Sequence, residues 1–262
     1  DVLKDEFNGE ATASKLARVR EQMEKEEAQY HIISTLDDIA WILNVRGNDI
    51  PHVPVVLSFL VIGKEDAMWF VEENALSDAV KEMAAECGIT IRPYEDVYAY
   101  AATIPEHSTV LLDKRKVNYR ITNALSETVH IVSKANPSQL MKAIKNEIEL
   151  ENTRKAHLLD GIAVTKFMYW LKKNVGKIPM DEVSVSDYLQ SLREQMEGYR
   201  DISFDTIAGY NANAAMIHYK AEPDTAAKLE PQGMLLVDSG GHYDTGTTDI
   251  TRTIALGEVT DE

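Results

Sequence analysis

Apolar positions along the 262-residue chain change period several times, and the changes mark the expected elements. Leu16, Val19 and Met23 recur at helical spacing among charged residues, predicting a helix that Thr12 or Ser14 can cap. Residues 30–34 read as a buried strand. Asp37 and Asp38 then open a short helix carrying Trp41, Ile42 and Leu43, and Arg46 to Asp49 form a loop by their turn chemistry. Residues 53–62 predict a core strand, and residues 67–71 its hairpin partner across Gly63, Lys64, Glu65 and Asp66. A helix over 76–85, stopping near Gly88, and strands over 89–92, 109–113 and 128–131 complete an α/β domain assigned to residues 1–135. Asn136-Pro137 marks the boundary, because a residue before proline is pushed out of the helical region. Ser138 then caps one long helix reaching Leu171, with Ile144, Ile148, Ala156, Leu159, Ala163 and Phe167 sharing a face. A further amphipathic helix over 184–197 follows. Strands over 202–208 and 214–219 come next, divided by a turn at 209–213, and then a loop over 221–232, all within a second domain assigned to residues 136–262.

Residues 234–256 carry the densest chemistry. A short apolar run from Met234 ends on Asp238, and a β-branched run from Thr247 alternates with period two, with Gly240, Gly241, Asp244 and Gly246 between them. This predicts a hairpin in which Asp249 shares a face with Thr247, Thr251 and Thr253 and comes beside Asp238. Two adjacent carboxylates repel each other, and a fold that keeps both supplies protons or cations to share. Oxygen-rich sites suit Mn²⁺ or Mg²⁺, with Zn²⁺ or Co²⁺ admitted once a histidine joins. The plain alternative makes Asp238 a turn former at a strand end and Asp249 an exposed strand residue.

Composition narrows the function classes. Lys and Arg number 27 against 43 Asp and Glu, a formal charge of −16, which repels phosphate backbones and anionic lipid. Nucleic-acid and membrane binding are therefore not expected. Cys87 is the only cysteine, which rules out a disulfide framework or thiolate cluster and fits a reducing cytoplasm. The longest apolar run, over 53–62, is too short to span a bilayer. The sequence opens on Asp1 without a signal-peptide pattern, so the natural start of the gene product is expected upstream.

From Asp238 to Thr253 the chain follows the pattern Asp-Ser-Gly-x-x-Tyr-x-x-Gly-Thr-Thr-Asp-x-Thr-Arg-Thr, which resembles the first metal-binding segment of the pita-bread metallopeptidases. The matching residues are Asp238, Ser239, Gly240, Tyr243, Gly246, Thr247, Thr248, Asp249, Thr251, Arg252 and Thr253. Residues 35–49, 136–170 and 214–219 look like the same family in the same order, and the likeness is strongest to its three-domain Xaa-Pro aminopeptidases. The resemblance implies a creatinase/prolidase N-terminal-like α/β domain followed by the first half of a pita-bread α+β catalytic domain.

It also implies a metal-dependent exopeptidase that releases the N-terminal residue from peptides with proline second. Asp238 and Asp249 match metal ligands, and the cofactor would be two divalent ions, Mn²⁺ first, with Zn²⁺ or Co²⁺ as alternatives. His218 matches a histidine that lines the substrate pocket and assists at the scissile peptide, which makes it both the catalytic and the substrate-binding candidate. His242 and Asp244 read as turn residues, Trp41 as core, Arg46 and Asp49 as structural salt-bridge residues, and Arg252 as a partner for a nearby carboxylate. The family completes its site with a later histidine and two glutamates. After Asp249 the sequence offers Glu258 and Glu262 but no histidine, so the chain is expected to be an inactive piece of a longer, homodimeric, cytoplasmic enzyme. The rival readings are a non-catalytic pita-bread module that binds peptides or proteins and, less favoured by the Asp pair, metal-free amidine hydrolysis of the creatinase kind.

Overall fold

Phe59, Leu60, Val61 and Ile62 are four consecutive large apolar residues, which a strand can bury only if both faces of its sheet are covered. The computed structural model describes residues 1–258 and divides into two units, Asp1–Ile148 and Glu149–Glu262. Glu262 lies outside the described residues.

In the first unit the elements run α1 (Asp5–Asn8), α2 (Thr12–Lys25), β1 (Tyr30–Ile33), α3 (Leu36–Ile42), β2 (Ser58–Gly63), β3 (Ala67–Val71), α4 (Asp78–Glu86), β4 (Ile89–Arg92), α5 (Asp96–Ala101), β5 (Thr109–Leu112), α6 (Tyr119–Ala124), β6 (His130–Ser133) and α7 (Pro137–Ala143). The strands form one six-stranded sheet in the order β4-β3-β2-β1-β5-β6. Pairs β1/β2 and β2/β3 are antiparallel and the other three are parallel. Alternate residues feed opposite layers. Ile33, Leu60, Ile62 and Trp69 pack with Leu16, Val19, Ile39 and Val80 of α2, α3 and α4, whereas Ile32, Phe59, Val61 and Phe70 pack with Val97, Ala101 and Ile121 of α5 and α6.

The structure departs from three expectations in this unit. The N-cap of α2 is Ala11, without a side-chain cap, and Thr12 is already helical and buried. The strand expected over 53–62 begins only at Ser58, and Val53 and Leu57 remain exposed. The long helix expected from Ser138 is two helices: Asn136 is the N-cap of α7 with Pro137 following, and the chain leaves helical geometry at Ile144 (φ −92°, ψ 97°) before α8 (Glu147–Asn174). Asn146 Nδ2 donates to the Asn8 carbonyl at 2.8 Å, which ties the break to the end of α1. Ile144 and Ile148 are consequently exposed rather than on a buried stripe, and α8 runs through Gly161 without interruption. Because α7 packs on α2 and α3, the first unit continues past Asn136-Pro137. Trp41 is core, as expected. Arg46 Nη1 donates to the Ala40 and Val45 carbonyls, and Asp49 Oδ2 accepts from the Leu57 amide, so both residues serve the local backbone.

His31 lies fully buried on β1, and its Nδ1 donates to the Leu111 carbonyl at 3.0 Å, leaving Nε2 without a hydrogen-bond partner among the described residues. Burial pushes the imidazole down to about 4, against smaller upward pulls from the Leu111 bond and the Asp38 charge. The unfolded chain, titrating near 6.5, therefore binds the proton first as pH falls. The neutral ring's contribution is whole above pH 6.5 and is lost toward pH 4. Between about pH 7.5 and about pH 5, wild type should lose about 2 kcal/mol more unfolding free energy than His31→Leu, read from urea midpoints at each pH.

In the second unit α8 is followed by α9 (Glu182–Arg193), β7 (Tyr199–Ile202), β8 (Ile207–Tyr210), β9 (Met234–Ser239), β10 (Gly241–Tyr243), β11 (Gly246–Thr247) and β12 (Ile250–Ala255). α9 starts on a capping box: Asp181 accepts from the Ser184 amide and the Ser184 hydroxyl accepts from the Asp181 amide. Two three-stranded sheets result, β12-β9-β8 and β11-β10-β7. Leu235 and Val237 of β9 and Ile254 of β12 bury against Ala163, Phe167 and Leu171 of α8 and Val185 and Leu189 of α9.

Candidate metal centre

The hairpin expected over 234–256 is more elaborate than a single pair of strands. β9 and β10 are nearly continuous but lie in different sheets, and the return strand is split as well: β11 pairs with β10, and β12 with β9. The switch occurs at Gly240. A Cβ there would sit 2.0 Å from the Thr248 carbonyl oxygen and 2.3 Å from Ser203 Oγ, so only glycine admits this backbone crossing. Thr248 and Asp249 form the corresponding link on the return path.

This geometry places the two carboxylates. Thr251 lies opposite Asp238 and Ile250 opposite Ser239, and Asp249 directly precedes β12 in the link from β11. Leu235, Val237 and Ser239 are buried toward the helices, whereas Asp238 is half-buried on the opposite face with exposed Thr251 across from it. Thr251 Oγ1 donates to Asp238 Oδ1 at 2.7 Å. Asp249 is exposed. Oxygen donors of this kind suit hard divalent cations. Among the described residues, no group of three or more His, Cys, Asp or Glu is placed to hold a metal ion.

His218 does not lie on a strand. After β8 the chain forms a 3-10 segment over Asn211–Ala215, and the Tyr219 amide then bonds the Met216 carbonyl at 3.2 Å. His218 occupies the third position of that turn with φ 57°, a left-handed conformation for which such turns favour Gly or Asn. The turn is held by Glu182, which is fully buried: it accepts from the Tyr210 amide, Asn213 Nδ2, the Tyr219 hydroxyl at 2.7 Å and the Ala227 amide. Burial, with the Glu182 bond and charge adding to it, pushes the Tyr219 phenol up to about 12, so it remains a donor. Lys220 then pairs with Asp205 at 3.0 Å, bringing the loop back to the start of β8, where Ile207 lies opposite Asp238. Among the described residues, no hydrogen bond joins His218 to either aspartate.

His242 lies on β10 with Nδ1 at 2.8 Å from Thr247 Oγ1, and Asp244 accepts from Arg200 Nε at 2.6 Å. Arg252 Nη1 donates to the Thr251 carbonyl, and among the described residues it has no carboxylate partner. Glu258 is exposed. Sequence reasoning missed the side of the hairpin turned toward the helices. Asp160 of α8 and Arg193 of α9, both fully buried, form a two-pronged ion pair at 2.6 and 3.1 Å. Arg193 Nη2 also donates to Ser239 Oγ at 3.1 Å, while the Tyr243 and Thr248 hydroxyls donate to Asp160 at 2.9 Å each. Burial, together with the Asp160 charge and hydrogen bond, raises the Tyr243 phenol well above its ordinary range. A signal was present: Asp160 is in helical phase with Ala156, Ala163 and Phe167, and Arg193 with Val185 and Leu189, so each charge interrupts an apolar stripe.

Comparison with known proteins agrees with this architecture. Residues 1–149 match the creatinase/prolidase N-terminal domain and residues 151–262 match metallopeptidase family M24. A probable Xaa-Pro aminopeptidase P of Neurospora crassa is 36% identical over 99% of this chain and 40% of its own length. Xaa-Pro aminopeptidase 1 of Dictyostelium discoideum is 38% identical over 98% of this chain and 41% of its own. The chain thus spans about two fifths of the curated relatives it matches. Among solved structures, an X-prolyl aminopeptidase of Caenorhabditis elegans, described as a cytosolic enzyme with a di-nuclear active site, superposes with a TM-score of 0.93 at 30% identity, covering 100% of this chain and 44% of that one. The prolidase of Pyrococcus horikoshii shares the fold at a TM-score of 0.69 and 21% identity, over 94% of this chain and 66% of that one. The chain belongs to the creatinase/prolidase N-terminal domain family, and its second unit continues as a metallopeptidase family M24 domain of the kind found in the Xaa-Pro aminopeptidases.

Proposed function

We propose that the whole protein is a metal-dependent Xaa-Pro aminopeptidase, releasing the N-terminal residue from peptides with proline in second position. One observation supports the reading: Asp238 is half-buried on the face of β9 turned away from the helices, and exposed Asp249 directly precedes β12, whose first residue, Ile250, lies opposite Ser239. Relatives of that name match nearly the whole chain at more than a third identity. Asp238 and Asp249 would hold two divalent ions, Mn²⁺ in our reading. Such ions, when bound, acidify water and draw electron density from the scissile carbonyl. Completing their coordination requires side chains beyond these two.

His218 binds and orients the substrate, donating a hydrogen bond where negative charge develops or where the leaving nitrogen takes a proton. Its left-handed backbone supports a functional role, since such strain persists where surrounding structure enforces it, here through Glu182. A cytoplasmic homodimer belongs to the same proposal and rests on the family resemblance, with the Caenorhabditis elegans relative described as cytosolic.

His218→Asn tests the assignment, because asparagine tolerates the left-handed conformation. In the full-length protein, kcat on an Xaa-Pro peptide should fall about 10²-fold. The unfolding free energy should stay within about 0.5 kcal/mol of wild type. Unchanged kcat would remove His218 from the site.

A further inference from the structure

The face of the hairpin opposite the two carboxylates carries its own constraint. Adjacent residues share a peptide unit, and along a strand their side chains alternate, so a bond that holds one residue restrains the direction in which its neighbour points. Ser239, directly after Asp238, is held by Arg193 at 3.1 Å, and Thr248, directly before Asp249, is held by Asp160 at 2.9 Å. Arg193 and Asp160 are themselves joined as a fully buried pair, and Thr248 Oγ1 also accepts from the Gly241 amide at 2.9 Å. One ion pair thereby grips both legs of the hairpin, at Ser239 of β9 and at Thr248 in the link between β11 and β12, each adjoining a candidate ligand.

We propose that the Asp160–Arg193 pair is the positioning element of the metal centre, fixing the separation and facing of Asp238 and Asp249 through Ser239 and Thr248. The proposal rests on the metal-ligand reading above. It explains why a charged pair is kept among the apolar residues Ala156, Ala163 and Phe167 of α8 and Val185 and Leu189 of α9. Asp160 and Arg193 are buried on the helix side of the sheet, away from the carboxylates, so they act only through the hairpin.

Removing either charge risks unfolding the unit, so the test cuts the links and leaves the pair. In the full-length protein, Ser239→Ala with Thr248→Val should weaken Mn²⁺ binding, measured by calorimetric titration, about 10- to 100-fold. Thr248→Ser in place of Thr248→Val restores the hydroxyl and should recover most of that affinity, a rescue that loss of packing would not produce. Asp238→Asn, measured alongside, should abolish binding. If Asp238→Asn abolishes binding while the double variant binds Mn²⁺ as wild type does, the positioning role is overturned and the ligand assignment stands. If Asp238→Asn binds Mn²⁺ normally, the ligand assignment fails and takes the positioning role with it.

Discussion

Replacing Asp249 by alanine should abolish Mn²⁺-dependent release of the first residue from an Xaa-Pro peptide by the full-length protein. Polarisation by bound ions is worth several kcal/mol at the transition state, and each factor of ten in rate corresponds to about 1.36 kcal/mol, so the loss in kcat/KM should reach ~10³-fold or more. Asp249 is exposed and lies between strands rather than within one, so its removal leaves the buried contacts of β9 and β12 in place. Folding should therefore survive, with circular dichroism and melting close to wild type. Activity retained in this variant would detach the carboxylate pair from catalysis.

A second large effect is expected on stability. Arg193→Met should destabilise the second unit by about 3–5 kcal/mol, because it strands the Asp160 carboxylate in a site with no exposure to water. Tyr243 and Thr248 still donate to Asp160, but two neutral hydroxyls do not replace a guanidinium. Adding Asp160→Asn should recover part of the loss, since the uncompensated charge is then gone. Urea unfolding of the two single variants and the double variant measures this coupling, and strictly additive losses would show that the ion pair is not the source of the effect.

What is legible in the sequence depends on whether the cause of a feature is local. The apolar run ending at Asp238 identifies β9, and the alternation of Thr251, Thr253 and Ile254 identifies β12, because strand period is written in neighbouring residues. The break between β11 and β12 is not legible: Thr247 to Thr253 alternate smoothly, and the switch of sheets is imposed by the crossing of Gly240 with Thr248. The turn at His218 is hidden for a similar reason. Ala214 to Tyr219 look apolar enough for a strand, but the chain there is organised by Glu182, whose side chain collects donors from Tyr210, Asn213, Tyr219 and Ala227. Helix α7 ends early where Asn146 bonds to Asn8, a partner far away in sequence. In the first unit, by contrast, the continuous apolar runs of β2 and β3 mark them as core strands from neighbouring residues alone.

Shared binding of divalent cations by Asp238 and Asp249 is the claim on which the peptidase reading stands. Crystals of the full-length protein grown with Mn²⁺, with data collected at the manganese absorption edge, test it most directly. Anomalous peaks are expected within bonding distance of both carboxylates, on the face of β9 and β12 turned away from α8 and α9. Manganese bound elsewhere, with Asp238 and Asp249 both free of it, would contradict the assignment.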